Sequence, residues 1–246
     1  MKTLVCWSGG KDCGLALHRL RANPSVDVCG LLTTFSEEFD RVSMHGVRRE
    51  LLENQAAAVG LPLRAVFLPT PPAADPCPIG SANAQGFTAF PSNDTYDEAM
   101  GRALDGAKRD GIEAIAFGDI FLEDLRRYRE ERTAAVGLAT LFPLWGEKTG
   151  DLLAESIASG FRAVTVCVDS RRLSKAWVGR EIDARFAREI PAEVDPCGEY
   201  GEYHSFVHDG PGFRSPVAFE RGEVVFRDPF WFADLRPSAR ARVESP

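Results

Sequence analysis

The chain has 246 residues, of which 44% are hydrophobic, so it can form a sizeable core and is too apolar to be disordered. Its formal net charge of −7 argues against a broad nucleic-acid-binding surface and favours a small molecule or a defined protein as partner. With no apolar stretch of about 18 residues, no signal-peptide pattern and no Cys-x-x-Cys pair, we expect a cytoplasmic protein with reduced thiols and no membrane contact.

Short apolar runs alternate with helical patterns over the first 168 residues. Strands are predicted at TLVCW, VDVCGLLTTF, LPLRAVFL and IEAIAFGDI, and a helical stretch follows each of them. Two further runs, ATLFPLW and FRAVTVCV, continue the pattern. This alternation is typical of βαβ units, so we predict an α/β fold with three layers, Rossmann-like, built on a mainly parallel sheet.

Two segments interrupt the alternation. Residues 69–94 hold six prolines, too many for a strand or a helix interior, and are predicted to form a long surface loop or lid. After residue 168 we predict a helix over 174–190, a glycine-rich acidic loop over 195–212 and a final pair of strands. We therefore divide the chain into an α/β domain, 1–168, and a C-terminal α+β elaboration, 169–246, which either packs on the edge of the sheet or forms a domain of its own.

The loop SGGKDC follows the first predicted strand, at the edge where open parallel sheets bind ligands. Gly9 and Gly10 would let backbone N–H groups approach an anion, and the next helix would present its positive end. A Walker A loop would need glycine in place of Val5 and serine or threonine in place of Asp12. The alternative is a tight turn with Asp12 capping the helix, but the crowding of polar residues in one turn favours a phosphate-binding loop.

Five stretches carry a family resemblance. SGGKDC resembles the pyrophosphate loop Ser-Gly-Gly-x-Asp-Ser of the N-type ATP pyrophosphatases. The other four, SMHGVRRELLENQAAAVGLP, AFGDIFLEDLRRYREE, FPLWG and DPCGEYGEYHSFVHDGP, resemble successive motifs of the diphthine-ammonia ligase family, which is adenine nucleotide alpha hydrolase-like. The resemblance runs from residue 3 to about 226 and implies an ATP-binding domain over 1–168 and an acceptor-binding region over 169–246.

The resemblance also implies roles for the residues of the loop. The phosphates of ATP would be held by Ser8, Gly9, Gly10, Lys11, Asp12 and Cys13. Lys11 and Asp12 would be catalytic, and Asp12 would help to bind Mg²⁺. Cys13 replaces the serine of the family, so any phosphate contact there is weakened, and we do not predict a nucleophile at this position.

Further binding residues are predicted at the same edge of the sheet. His45 follows the second strand, where an adenosine would lie, although a lone histidine there could equally bond to loop backbone. Gly118 permits a close backbone approach, and Asp119 offers a carboxylate as a metal ligand for Mg²⁺. Arg126 lies in the arginine-rich stretch RRYREER, which would either meet phosphate or form a solvated face.

The acidic loop supplies the remaining candidates. Glu199 and Glu202 alternate with glycines, and we predict that these catalytic carboxylates bind or polarise an acceptor and its incoming amine. His204 and His208 would be roughly 13 Å apart on a strand, which argues against a shared zinc ion.

The reaction that the resemblance implies is an ATP-dependent amidation. An oxygen of a carboxylate or amide attacks the α-phosphorus, pyrophosphate leaves, and ammonia then displaces AMP, while Mg²⁺ and Lys11 stabilise the leaving charge. The acceptor is a small molecule or a protein, such as the diphthine of elongation factor 2 on which the family acts. Two alternatives stay open: an adenine-nucleotide-binding regulatory protein without turnover, and an ATP-dependent tRNA-modifying enzyme.

Overall fold

The structure, a computed structural model, describes residues 1–69 and 93–238. The predicted proline-rich loop or lid lies almost wholly outside them. The described strands are β1 Lys2–Cys6, β2 Asp27–Ser36, β3 Arg41–Val42, β4 Leu63–Leu68, β5 Ala114–Ala116, β6 Ala139–Leu141, β7 Arg162–Asp169, β8 Tyr203–Asp209, β9 Phe219–Arg227 and β10 Phe230–Pro237. The described α-helices are α1 Lys11–Ala22, α2 Arg49–Val59, α3 Asn93–Arg109, α4 Glu123–Ala135, α5 Thr149–Ala158 and α6 Ala184–Glu189.

The first sheet is mainly parallel, as predicted. β1 lies between β2 and β5, β4 pairs with β2, and β6 pairs with β5, all of them parallel. Only the short β3 is antiparallel, beside the end of β2. The chain extends from β1 to one side and then returns to the other side with β5. The switch point, where open α/β sheets form a ligand-binding crevice, therefore lies between the carboxyl ends of β1 and β5.

Helices cover both faces of this sheet. Alternate residues of β1 point to opposite faces, so Val5 lies in one core cluster with residues of α1 and α2. Leu4 lies in a second cluster with residues of α3. Leu235 of β10 belongs to the first cluster, so α1 and α2 lie between the parallel sheet and the C-terminal strands.

The stretch FRAVTVCV forms β7, but the prediction that it continues the parallel pattern is wrong. β7 pairs antiparallel with β8 and with β10 in a second sheet whose order is β8-β7-β10-β9. Every residue of β7 after Arg162 is buried. A strand buried on both faces has a continuous apolar sequence whether its neighbours are parallel or antiparallel, so the sequence pattern did not distinguish them.

The prediction of one long helix over 174–190 is also wrong. The structure has a 3-10 turn at Lys175–Trp177 and, separately, α6. Gly179 adopts a φ of +77° and its N–H donates to Thr165 O of β7 at 2.9 Å, which diverts the chain to the sheet. Asp183 then caps α6, because its side chain accepts a hydrogen bond from Phe186 N at 2.7 Å.

The predicted pair of C-terminal strands is confirmed as the antiparallel hairpin of β9 and β10. The division of the chain at residue 168 stays a prediction, although β7, which precedes it, pairs with β8 and β10, which follow it. None of the helices in the two described ranges is both long and apolar enough to cross a membrane.

Candidate active site

The SGGKDC loop connects β1 to α1, and its first glycine is required by both backbone and space. Gly9 has a φ of +82°, which a side chain disfavours. A Cβ there would lie 2.8 Å from Leu52 Cδ1 and 2.9 Å from Gln55 Oε1 of α2. Any larger residue would push the loop away from α2.

The start of α1 has backbone donors available. Gly10 is the N-cap residue and, having no side chain, makes no side-chain cap; the alternative of an Asp12 cap is not found. Lys11 N donates to Ser205 Oγ of β8 at 3.0 Å. Within the described chain no acceptor contacts the N–H groups of Asp12 and Cys13. These groups and the helix dipole give this end of α1 the properties of an anion site.

The ammonium of Lys11 is enclosed by the C-terminal loop. The residue is only 2% exposed, and its Nζ donates to the Asp12 carboxylate at 2.8 Å and to Cys197 O. The ring of Tyr203 lies 5.1 Å from Nζ. Burial alone would lower the pKa of Lys11, but the Asp12 carboxylate holds that pKa well above its usual value. Lys11 therefore supplies a permanent positive charge beneath the loop.

Ser8 and Cys13 hold the turn of the loop together. Ser8 Oγ accepts a hydrogen bond from Gly10 N at 3.3 Å, and Cys13 Sγ donates to Gly10 O at 3.0 Å. Burial raises the pKa of the Cys13 thiol to about 11, so it is neutral at physiological pH. The neutral thiol supports the prediction that Cys13 is no nucleophile.

Gln55 of α2 holds the loop against the second sheet, and the sequence interpretation missed it. Its Nε2 donates to Gly9 O at 3.0 Å and to Val207 O at 2.6 Å, while its Oε1 accepts from Trp7 Nε1 at 2.6 Å. Gln55 is fully buried. The available signal was a polar residue on the apolar face of the helix RRELLENQAAAV.

Gly118 follows β5, and its backbone packs directly against the backbone at the start of α1. A Cβ there would lie 3.1 Å from both Asp12 C and Cys13 N. Its role in the structure is thus to let β5 approach α1. The next residue, Asp119, is 14% exposed, and its Oδ2 accepts from Arg129 Nε at 3.3 Å.

The arginines of α4 each pair with a different carboxylate. Arg126 Nε donates to Glu130 Oε1 at 2.8 Å, and its guanidinium lies 4.7 Å from the Trp145 ring. Arg132 pairs with Asp97, away from Asp119. Whether Arg126 contacts phosphate stays a prediction.

Glu199 joins the C-terminal loop to the switch point. Its Oε1 accepts a hydrogen bond from Ile120 N at 2.8 Å, directly after Asp119. Burial and, to a smaller extent, the neighbouring carboxylates of Asp12 and Asp119 together raise the pKa of Glu199 to about 7. The structure therefore brings together three predicted carboxylates from distant parts of the chain.

Glu202 is engaged within its own loop. It is 5% exposed, its Oε1 accepts from Asp195 N at 3.1 Å, and its Oε2 accepts from Tyr200 N at 3.1 Å. Asp195 Oδ2 in turn accepts from the backbone N–H groups of Cys197 and Glu199, each at 3.0 Å. These bonds fit a positioning role for Glu202, and its predicted catalytic role is untested.

The histidines separate into two environments. His45 Nδ1 lies 3.2 Å from Ser205 O of β8, which is the backbone contact named above as the alternative to nucleotide binding, and its ring is 4.6 Å from that of His204. The predicted role of His45 in binding the nucleotide stays a prediction. Burial, followed by the charge of Lys11, lowers the pKa of His45 to about 4. His208 Nε2 instead lies 3.3 Å from Glu181 Oε2. Within the described residues, no group of three His, Cys, Asp or Glu side chains is placed to hold a metal ion.

A cleft is lined by Met44 and Gly46, the two neighbours of His45, and by Phe232 and Asp234 of β10. His45 itself does not line this cleft, because its ring faces Ser205 O and the ring of His204. The predicted adenosine position at His45 stays a prediction.

Two family models match the chain. One, described as the diphthamide synthase N-terminal domain, matches residues 1–68, and the other, the diphthamide synthase C-terminal domain, matches residues 148–236. Together they cover more than half of the chain.

Curated relatives and a solved structure are also similar. A diphthine–ammonia ligase of Danio rerio is 27% identical over 96% of this chain and 92% of its own length. That of Bos taurus is 26% identical over 96% of this chain and 89% of its own length. The U34-tRNA thiolase NcsA from Methanococcus maripaludis, with its [4Fe-4S] cluster, aligns with a TM-score of 0.34 at 15% identity over 64% of this chain and 55% of its own, too low to support any conclusion.

Proposed function

The chain belongs to the diphthamide synthase family, and on that basis we propose that it is an ATP-dependent C–N ligase that joins ammonia to an acyl acceptor. One observation carries this proposal beyond the relatives' names. The phosphate loop, the end of β5 and the Glu199 carboxylate meet at the switch point of the parallel sheet. That crevice brings an anion site and a titratable carboxylate together, as an adenylating ligase requires.

The start of α1 would bind the phosphates that leave as pyrophosphate. Its free N–H groups and the hydroxyl of Ser8 supply donors, and the positive φ of Gly9 shapes the turn that presents them. The buried charge of Lys11 opposes the negative charge that builds on the leaving group. These groups are fixed before the substrate arrives, so little reorganisation is needed during the reaction.

Asp12 and Asp119 are suited to the Mg²⁺ that ATP carries. Mg²⁺ prefers oxygen ligands and is commonly held by one or two carboxylates together with substrate phosphates. Both carboxylates are partly accessible, with exposed side-chain fractions of 29% and 14%. When bound, the ion would neutralise charge on the pyrophosphate.

The chemistry consists of two displacements. An acceptor carboxylate oxygen forms a bond to the α-phosphorus while the bond to pyrophosphate breaks. The nitrogen of ammonia then forms a bond to the acyl carbon while the bond to the AMP oxygen breaks, and the nitrogen loses a proton. Glu199, with a pKa near 7, is placed at the crevice to accept that proton.

The proposal is tested by mixing the protein with Mg²⁺, ATP and ammonium, with and without cell extract, and measuring AMP and pyrophosphate. Diphthine, the acceptor in the relatives' names, is the first acceptor to add. Release of AMP only with an acceptor supports the ligase, whereas tight ATP binding with no AMP under any condition supports a regulatory protein. Loss of the extract's effect after ribonuclease treatment would favour the tRNA-modifying alternative.

A further inference from the structure

His204 carries an unsatisfied nitrogen beside the phosphate loop. Among the side chains of the described residues, its Nε2 is the buried nitrogen or oxygen atom without a hydrogen-bond partner. A buried imidazole nitrogen is costly to leave unpaired, whether it carries a proton or a lone pair. The residues that the structure describes supply no partner for this atom, so a bound molecule is the natural candidate.

The position of His204 points to the ligand of the phosphate loop. Its ring lies 4.6 Å from the ring of His45, and His45 Cε1 lies 3.1 Å from where a Cβ on Gly10 would be. Gly10 is the N-cap residue of the 12-residue helix α1. The imidazole pair therefore lies against the end of α1 that has free backbone donors.

The charge around the pair selects the kind of ligand. Burial lowers the pKa of His204 well below its usual value, and neighbouring His45 and the Lys11 ammonium lower it further, so both imidazoles are neutral. The Lys11 charge and the positive end of α1 favour an incoming negative group. Facing such a group, a neutral imidazole bonds by donating its N–H.

We propose that His204 Nε2–H donates a hydrogen bond to an anionic oxygen of the substrate held at the phosphate loop, either a phosphate oxygen of the nucleotide or a carboxylate oxygen of the acceptor. The identity of the substrate in this inference rests on the proposed function. The hydrogen bond from His204 to a bound phosphate does not depend on that function. His208, on the same strand, has no such role because its Nε2 already faces Glu181.

Calorimetry with pyrophosphate, AMP and Mg²⁺-ATP, each titrated alone, tests the proposal in His204→Gln, His204→Asn and His204→Phe. The amide nitrogen of glutamine occupies the place of Nε2, whereas that of asparagine corresponds to Nδ1. We expect His204→Phe and His204→Asn either to weaken the binding of at least one of these three ligands about tenfold or to raise the acceptor KM about tenfold, and His204→Gln to stay close to wild type in both. His208→Gln is the matched control and should bind all three ligands normally.

The ligand that weakens identifies the contact. A loss for pyrophosphate indicates the leaving phosphates, and a loss for AMP indicates the α-phosphate. Unchanged affinity for all three with a raised acceptor KM indicates the acceptor carboxylate. Unchanged affinities together with an unchanged KM would overturn the proposal.

A spectroscopic measurement on the wild-type protein tests the same contact without depending on the folding of any variant. In the wild-type protein labelled with ¹⁵N-histidine, the Nε2 resonance of His204 should shift when its ligand is added. A nitrogen bonded only to buried water would not respond to these ligands. If pyrophosphate, AMP, ATP and the acceptor all leave the His204 Nε2 resonance unchanged, the proposal is wrong. Pyrophosphate and AMP bind without turnover, so an inactive wild-type protein would refute the ligase activity without deciding this contact.

Discussion

Glu199 Oε1 accepts a hydrogen bond from the backbone N–H of Ile120 at 2.8 Å, which connects the acidic C-terminal loop to the end of β5. The contact keeps a carboxylate among two others, those of Asp12 and Asp119, in a buried place. Burial and these charges favour the protonated form of Glu199, so its pKa is raised to about 7.

Replacing Glu199 with glutamine should remove the pH dependence of amide formation. With a pKa of about 7, wild-type Glu199 is mostly protonated at pH 6 and mostly ionised at pH 8, so the rate should rise across this interval. Glu199→Gln should lower kcat about 100-fold at pH 8 and flatten this rise. Initial rates of AMP release from pH 5.5 to 8.5 provide the measurement, each taken at the same concentration of free NH3, because the deprotonated fraction of ammonium itself rises with pH. The exposed Glu193→Gln should retain the wild-type profile, and a Glu199→Gln variant with that same profile would exclude Glu199 as the base.

Glu199→Gln should lower activity but raise stability relative to the wild type as the pH increases. The folded-state pKa of Glu199, about 7, is above its usual 4.5, so the wild type loses stability as the pH rises from about 4.5 to 7. Glutamine is neutral throughout and still accepts from Ile120 N. The Tm of Glu199→Gln relative to wild type should therefore increase between pH 5 and pH 8, by an amount equivalent to roughly 3 kcal/mol at most. A constant Tm difference over this interval would mean that the pKa of Glu199 is not raised.

Gly118→Ala should disturb the crossing of β5 and α1. The new Cβ would lie 3.1 Å from Asp12 C and from Cys13 N, and backbone atoms cannot rotate away as a flexible side chain can. We expect a loss of about 1–3 kcal/mol in the free energy of unfolding and weaker pyrophosphate binding. Gly101→Ala in α3 is the control, because no atom lies within 4 Å of its Cβ position and alanine favours a helix by up to about 1 kcal/mol. Equal effects of the two substitutions would contradict this account.

The parallel sheet and the position of the phosphate loop followed from local sequence pattern. Apolar runs alternate with helical stretches, and the carboxyl ends of parallel strands meet at one edge, so Gly10 and Gly118 could be placed near each other. The partners of β7 could not be predicted, because both its faces are buried and its apolar run is the same for either sheet. Local pattern therefore identified the edge of the sheet that carries the SGGKDC loop and not the second sheet that covers it.

Contacts between distant segments could not be predicted from the sequence for a related reason. Lys11 and Cys197 are 186 positions apart, and only the antiparallel sheet brings the acidic loop to the lysine. Ser205 and Gln55 were missed because each looks like an ordinary polar residue until its partners, Lys11 N and Gly9 O, are known. The residue types of the site were predictable, but their hydrogen-bond partners depended on the fold.

Gln55→Leu should destabilise the protein and loosen the phosphate loop. The substitution removes the partners of Trp7 Nε1 and Val207 O, and each buried group left unpaired costs about 1–3 kcal/mol. A decrease of about 2–5 kcal/mol in the free energy of unfolding, measured by urea denaturation, is expected. The neighbouring Asn54→Ala should change stability by no more than about 0.5 kcal/mol. A Gln55→Leu protein as stable as wild type would show that these hydrogen bonds contribute little.

Lys11→Ala should stop AMP formation, and its two contacts allow two causes to be separated. The ammonium provides charge beneath the phosphate loop, and it also donates to Cys197 O in the acidic loop. Loss of the charge should lower the rate by at least about 100-fold and weaken pyrophosphate binding. Loss of the contact should speed amide hydrogen exchange between Cys197 and Tyr203. The exposed Lys108→Ala, whose Nζ donates to Gly137 O, is the control.

Comparing the two measurements decides how Lys11 acts. If pyrophosphate affinity falls while exchange in the acidic loop is unchanged, Lys11 acts on the phosphates through its charge. If exchange rises as affinity falls, the lysine also positions Glu199, because the carboxylates of Asp195 and Glu202 bind only N–H groups within the same loop and do not replace its contact with Lys11. Wild-type AMP formation in Lys11→Ala would refute the assignment of SGGKDC as the pyrophosphate site, because the loop contains no second cationic residue that could supply the missing charge.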